Sequence, residues 1–515
     1  MFVLLLFLLL GTTLFWLTKQ QYSYWNRRNF PTDPDPQIPC GCLKSVVKHE
    51  KSMGVAIYDA YLKAAKLPFI GVYLLFRPAV LIRDPELARQ ILTQDFNSFH
   101  DRGIYVDEKR DTLSCNLFSL RGQSWRSLRQ KLTPSFSSGK LKAMFHTSDD
   151  IGNKMVAHLN KVLPEEGSAE LDLKDILVTY AIDIIGSVIF GLDINSFENP
   201  KNKFICLVHK ARRNNLINAN IGMLVFLCPS LVQIMTRLGF TIDLAVGLRE
   251  IMKETIEYRE KHNIVRKDML QLMMQLRNTG KITEDDDNWS AKPNAAVGVE
   301  KEFTLDHIAA QGSIFYLAGQ ETTSSTAAFT IFELAQYPEL LELAQKEVTE
   351  VLARHDGQLS YDALREMSFL ELCLQETNRK YPLPFLNREC TQDYTIPGTN
   401  HIIEKGIPIL ISLLGIFRDA QYFPNPMTYD PHRFSPSSPN YNVNAYMPFG
   451  AGPRQCIALR MGMLNSKLGV VKILQNFNIE IMSRREIIID NHSVGIQSKG
   501  GVKVRLSKKT QTTKE

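Results

Sequence analysis

The sequence predicts a mostly helical α+β fold: a large helical region around one long central helix, a small β region, and an N-terminal membrane anchor. Three observations carry this. LDLKDILVTYAIDIIGSVIFG and FTLDHIAAQGSIFYLAGQETTSSTAAFTIFELAQ are helical in pattern and apolar over much of their surface, which places both inside the fold. FIGVYLLF and AVLIR read as two strands around Arg77-Pro78, and DYTIPGTNHIIEKGIPILISL adds strand-and-turn material in the C-terminal third. The run MFVLLLFLLLGTTLFWLT, residues 1–18, carries no charge.

That first run makes a helix of about 27 Å at 1.5 Å per residue, enough to span a thin bilayer. A cleavable signal peptide is the competing reading, but no basic region precedes the run and no small-x-small site follows it. Lys19, Arg27 and Arg28 lie after it, so the positive-inside bias leaves the rest of the chain in the cytosol. Trp16, Tyr22, Tyr24 and Trp25 are expected near the headgroups. Residues 19–45, with Pro31, Pro34, Pro36 and Pro39, read as a basic, stiff linker. In the body, Asp84 and Pro85 mark a helix start in DPELARQIL.

The 515 residues, 44% hydrophobic and 22% charged, have ordinary globular composition, which excludes a collagen, a disordered tail or a polytopic transporter. The acidic, Pro-bearing KITEDDDNWSAKPNAAVGVEKE reads as an exposed loop rather than a boundary, with Glu284 to Asp287 solvated, and residues 46–510 as one domain. A net charge of +6 on 58.6 kDa is too dilute for a nucleic-acid binder. Eight cysteines in so long a chain, with Cys40 and Cys42 as the only close pair, do not make a disulfide framework.

The informative stretch is Phe449-Gly450-Ala451-Gly452-Pro453-Arg454-Gln455-Cys456, followed by a helix pattern. A cysteine behind a Gly-rich turn and just before a helix has backbone N–H groups and the positive helix end aimed at its sulfur, which favours a thiolate. Zinc would need further ligands that no nearby CxxC or His pair supplies. One thiolate alone suits haem iron, whose in-plane ligands come from the porphyrin. Glu376 and Arg379 share a helix face, and Arg433 in PHRF can complete a charge-assisted network with them. Gly319, Glu321 and Thr322 in an otherwise apolar helix cost stability, which implies a purpose.

Taken together these residues resemble the cytochrome P-450 superfamily. Phe449, Gly452, Arg454 and Cys456 fit its F-x-x-G-x-R-x-C, Glu376 and Arg379 its E-x-x-R, Arg433 its P-x-R-F segment, and Ala318 to Thr323 its [A/G]-G-x-[D/E]-T-[T/S]. Two positions depart from the common pattern: Ala458 stands where many members have Gly, and His432 where many have Glu.

The resemblance implies a haem b-thiolate monooxygenase with Cys456 as the axial iron ligand. Trp125 and Arg129, which match W-x-x-x-R, would meet a haem propionate, with Arg388 and Arg454 as further partners. Gly319 would open a dent for dioxygen, Thr322 would hydrogen-bond it, and Glu321 would link the site to solvent; a threonine bonded back to its own helix is the structural alternative.

Electrons would come from an NADPH-cytochrome reductase, with cytochrome b5 as a further donor, docking on Arg126, Lys131, Lys140 and Arg460. By position, Phe118, Leu120, Phe315, Ala318, Leu383, Phe385 and Val494 would line a pocket for a small lipophilic substrate. The likeness to insect microsomal members implies the endoplasmic reticulum membrane, contact with its lipid, and xenobiotic, insecticide or hormone metabolism. A haem-thiolate isomerase or dehydratase working without dioxygen, or a catalytically silent haem protein, are the alternatives.

Overall fold

The computed structural model describes residues 12, 13, 16–33, 35–64, 66–213, 224–239, 243–292, 303–437, 439–482, 486–493, 495 and 497–509. Its helices of eight residues or more are α1 (Met53–Lys63), α2 (Pro85–Leu92), α3 (Gly122–Leu132), α4 (Ser138–Val162), α5 (Leu173–Val188), α6 (Lys203–Arg213), α7 (Pro229–Arg237), α8 (Asp243–His262), α9 (Met269–Thr279), α10 (Leu305–Gln336), α11 (Pro338–Arg354), α12 (Ser368–Lys380) and α13 (Leu459–Asn476). The strands are β1 (Phe69–Leu74), β2 (Arg77–Ile82), β3 (Ala169–Asp172), β4 (Leu386–Glu389), β5 (Tyr394–Thr395), β6 (Ile402–Ile403), β7 (Pro408–Ile411), β8 (Phe477–Ile481) and β9 (Lys503–Lys508).

The mostly helical α+β expectation holds for this body. α10 is the spine, packed on α5, α8, α12 and α13. Its start is fixed by a capping box in which the Thr304 N–H donates to His307 Nδ1 at 3.2 Å. Asp84 caps α2 as its sequence suggests, accepting from the Leu87 N–H at 2.7 Å.

The main sheet runs β1-β2-β7-β4, with β2 and β7 parallel and the outer pairs antiparallel. The β1–β2 turn falls at Leu75 and Phe76, and Arg77 and Pro78 belong to β2. Leu75 supplies the positive φ of 55° that the turn needs. Strand β2 pairs along both edges, with β1 and β7, and is almost completely buried.

The N-terminal reading needs correction. Among the described residues no helix is long and apolar enough to cross a membrane. Most of the segment expected to be the anchor, residues 1–11, 14 and 15, lies outside the described residues. The anchor, and with it the membrane-bound and endoplasmic-reticulum assignments, is therefore not carried forward.

The aromatic residues after it do not project as a belt. Trp25 is fully buried, donates from Nε1 to the Val72 carbonyl at 3.1 Å, and lies so close to β1 that a Cβ on Gly71 would be 2.6 Å from its ring. Tyr22 donates to the Leu75 carbonyl at 2.7 Å, and the Tyr24 hydroxyl to Glu404 at 2.7 Å. Large rings with one polar handle gain more from a sheet that offers both apolar surface and carbonyls than from water. The supposed linker is thus a strap docked on the sheet.

Beneath the C-terminal half of α10, Glu376 and Arg379 of α12 form a fully buried bidentate pair, Nε to Oε2 at 2.7 Å and Nη2 to Oε1 at 2.8 Å. Arg433 adds a third charge, its Nε 3.5 Å from Glu376 Oε2, and the Asp430 N–H donates to Oε1 at 3.0 Å. The remaining guanidinium donors reach backbone carbonyls: Arg379 to Phe417 at 2.9 Å, Arg433 to Pro424 at 2.7 Å. Burial pushes the Glu376 carboxyl up, and Arg379 and the Asp430 amide pull it back down. His432, which departs from the common pattern, packs its ring on Phe369 at 5.6 Å.

Two outcomes follow for stability. Glu376→Ala strands two buried guanidiniums and is expected to cost about 3–5 kcal/mol in chemical denaturation. Trp25→Ala is expected to cost about 3–5 kcal/mol in the same measurement; a loss within 1 kcal/mol would mean that the strap is not part of the cooperative core.

Candidate active site

Cys456 sits in the turn between a short 3-10 element, Gly452–Arg454, and α13. The turn can form only because two positions adopt left-handed backbone: Gly450 at φ 74° and Gly452 at φ 70°, where a Cβ would fall 1.8 Å from the Leu92 carbonyl oxygen. The Cys456 N–H donates to the Phe449 carbonyl at 2.9 Å, closing the loop. The side chain is exposed, yet enough protein surrounds it for burial to push its thiol up. The Ala458 backbone N–H and the charges of Arg129 and Arg102 act the other way, toward thiolate.

Around this turn the chain concentrates guanidinium groups. Arg129, at the end of α3, donates to the Gln455 carbonyl at 2.9 Å. Arg454 lies over the Trp125 ring at 4.1 Å and donates to three carbonyls: His100 at 2.8 Å, Phe118 at 3.3 Å and Leu120 at 2.7 Å. Arg388 on β4 is 1% exposed and donates to its neighbour Asn387 at 2.8 Å, while its Nε has no partner. Arg102 stands over the Phe118 ring at 4.2 Å with its own Nε likewise orphaned.

Burial and mutual repulsion lower these cations: Arg102 to about 10, Arg454 to about 9, and Arg388 well below its ordinary value, with Arg102 and Arg454 the charges that repel it. Asp101 answers Arg454 only at 3.6 Å. Sequence reasoning found Trp125, Arg129, Arg388 and Arg454 but missed Arg102, whose segment FHDRG matches no motif; its only signal is a cation between apolar runs.

The donor set fits haem b. One accessible sulfur that neighbouring charges favour as thiolate matches a single axial iron ligand, and buried guanidinium donors without acceptors match two carboxylates brought by the cofactor.

The segment Ala318 to Thr323 lies at mid-length on α10. Ala318 and Thr322 are exposed and Leu317 is 56% exposed, on a helix otherwise enclosed by α5, α8, α12 and α13, so this face borders a recess. The Thr322 hydroxyl donates to the Ala318 carbonyl at 2.7 Å, the structural alternative that the sequence left open. Glu321 pairs with Lys174 of α5 at 2.8 Å and accepts from Ser325 at 2.9 Å. Gly319 faces α5, where a Cβ would meet Ile185 at 3.2 Å. Two ties link the segment to the other motifs. Ser466 of α13 donates to the Thr323 carbonyl at 3.3 Å, and Asn378, inside the ExxR turn, bonds Met463 of α13 at 3.4 Å and Thr326 of α10 at 3.3 Å.

Of the residues expected to line a pocket, Phe118 and Phe385 are joined through Phe226, at 6.4 Å and 6.5 Å between ring centroids. Sequence reasoning missed Phe226. Phe315 meets Phe136 edge-on at 5.8 Å. Leu120 is buried and engaged through its carbonyl by Arg454, Leu383 is 48% exposed, and Val494 lies outside the described residues.

Among the basic residues expected to meet a partner, Arg126 and Arg460 are exposed and Lys131 is half-buried. Lys140 is not on the surface: it is fully buried, donates to the Asp285 and Asn288 carbonyls at 2.6 and 3.2 Å, and lies over the Trp289 ring at 4.5 Å. The acidic loop folds back over it, because a buried ammonium must find acceptors.

The family model described as "Cytochrome P450" matches residues 34–504. The chain is 61% identical to "Probable cytochrome P450 6d4" of Drosophila melanogaster over 511 residues, 99% of each chain. It is 50% identical to "Cytochrome P450 6d3" of Musca domestica over 519 residues, 98% of this chain and 99% of that one. With "Cytochrome P450 6k1" of Blattella germanica the identity is 35% over 467 residues, 89% of this chain and 88% of that one. Membership implies a lipophilic substrate and a reductase partner. The site's chemistry and these likenesses agree: the chain belongs to the cytochrome P450 family of insects and is a haem b monooxygenase that depends on an NADPH reductase for its electrons.

Proposed function

We propose that the recess beside Cys456 and α10 inserts one oxygen atom of dioxygen into a small lipophilic molecule, a foreign compound or a hormone. The observation that carries this reading is an accessible sulfur beside a cluster of cations in which Arg102 and Arg388 each keep a buried donor without an acceptor. Cys456 would ligate the iron, and Arg102, Arg129, Arg388 and Arg454, with Trp125, would hold the propionates. When bound, haem b supplies the redox chemistry that activates dioxygen.

The chain's own work is positional. Phe118, Phe226, Phe385, Phe136 and Phe315 are the apolar wall that orients a lipophilic molecule and excludes water. Glu321, held by Lys174 and Ser325, takes protons from the solvent side, and Thr322 Oγ1 passes them inward after leaving the Ala318 carbonyl. Arg126, Lys131 and Arg460 form the basic face for an acidic reductase and for cytochrome b5, without Lys140. The intact Glu321-Thr322 pair favours dioxygen chemistry over a rearrangement that needs no protons delivered.

Three variants test these assignments. Cys456→Ser is expected to abolish the thiolate-type Soret band of the reduced carbon monoxide complex; a retained band would remove the iron ligand from the scheme. Arg388→Met is expected to release haem to a scavenging apoprotein about tenfold faster or more, since a charge-assisted hydrogen bond contributes about 1.5–3 kcal/mol. The same variant stripped of haem should unfold no earlier than the parent chain, because an orphaned buried cation has gone. Glu321→Gln is expected to lower product formed per NADPH oxidised by on the order of 10²-fold.

A further inference from the structure

Gln311 is fully buried on α10, and its amide is used on both sides. Its Oε1 accepts the Leu117 N–H at 2.9 Å, and its Nε2 donates to the Cys115 carbonyl at 3.2 Å. That two-point contact is what a neighbouring strand would offer, so one side chain sets the height of an irregular segment over the helix. Within the segment, Asn116 Oδ1 accepts from the Phe118 and Ser119 N–H groups at 3.0 and 3.1 Å. At its far end Arg454 holds the Phe118 and Leu120 carbonyls. Phe118 therefore projects from backbone pinned on both sides.

The position of Gln311 on its helix gives this clamp a consequence. Gln311, Phe315, Ala318 and Thr322 stand at i, i+4, i+7 and i+11, one stripe of α10. Gln311 and Thr322 are about 16 Å apart along the axis at 1.5 Å per residue. The clamp thus registers Phe118 against the same face that carries Thr322. Phe118 leads into an edge-to-face chain with Phe226 at 84° and Phe385 at 76°. Such a chain presents ring edges at fixed separations, which reward a rigid flat ligand only while the backbone beneath Phe118 cannot slide. A flexible alkyl chain can follow a shifted wall at little loss.

We infer that Gln311 is a specificity-determining positioning residue, whose amide fixes Phe118 over α10 and so favours rigid, planar aromatic substrates over flexible aliphatic ones. This rests on the proposed reading of the recess as the substrate pocket.

The test uses the haem-loaded full chain. Titration with pyrene and with dodecanoic acid, read by the iron spin-state change, is compared in the parent, Gln311→Leu and Gln311→Asn proteins, alongside hydrogen exchange at the Leu117 amide. Expected results are a Leu117 amide protected in the parent and at least tenfold faster in Gln311→Leu. Pyrene should bind at least tenfold more weakly to that variant while dodecanoic acid changes less than twofold. Gln311→Asn, which keeps the amide on a shorter stem, should recover part of the pyrene affinity. An unprotected Leu117 amide in the parent, a measurement that needs no variant to fold, overturns the clamp alone. Equal weakening of both ligands overturns the specificity role. A parent that responds to neither ligand despite bound haem overturns the pocket reading, and this inference with it.

Discussion

Positive charge that the chain does not neutralise is the constraint on which the rest depends. Burial lowers Arg102, Arg388 and Arg454, Arg102 and Arg454 further lower Arg388, Arg102 lowers Arg454, and Asp101, the acid paired with Arg454, is shared with Arg121 at 3.1 Å. Such a cluster survives only if the backbone carrying it cannot spread. Arg454 contributes to that itself: by donating to the His100, Phe118 and Leu120 carbonyls it ties the Cys456 turn to the segment before α3. The Gly452 backbone, pressed against the Leu92 carbonyl, ties the same turn to α2. The groups assigned to hold a cofactor are therefore also the girders of its recess.

A second set of buried charges works differently, because it carries its own counter-charge. Glu376 accepts two hydrogen bonds from Arg379 and lies 3.5 Å from Arg433 Nε, and other guanidinium donors of both end on carbonyls. A buried triad of this kind adds little net stability over apolar packing, but it favours one arrangement of α12 and the PHRF turn. Asn378, between the two motif residues, passes that arrangement on to α10 and α13. The helices that carry or follow three motifs far apart in sequence thus meet through one amide that no motif names.

What the sequence made legible was chemistry that depends on residue type and spacing. The Cys456 turn, the Glu376–Arg379 pair with Arg433, the cap at Asp84 and the buried character of α5 and α10 all follow from local rules. What it hid depends on where a side chain finds its partner. Lys140 reads as a surface cation until the acidic loop is seen to supply it with carbonyls, and Trp25 reads as a membrane-belt residue until β1 offers the Val72 carbonyl and a glycine to lie against. Phe226 carried no local signal, and Arg102 only that of a cation between apolar runs, since their neighbours arrive from distant parts of the chain.

α10 shows how a helix can be both spine and site. A hydroxyl and a carboxylate in its middle would be costly if left bare, yet neither is: Thr322 bonds back to Ala318, and Glu321 meets Lys174 and Ser325. Ser324 and Ser325 also take donations from Lys174, so the cation from α5 is itself satisfied. For the proposed relay to work, each group exchanges one hydrogen bond for another, which costs far less than exposing an unpartnered buried group. Because the cation that pairs with Glu321 sits on α5, the ease of that exchange depends on how α5 packs against the spine, through Ile185 beside Gly319. The apolar contact and the ionic one are a single interface, so repacking the first changes the geometry of the second.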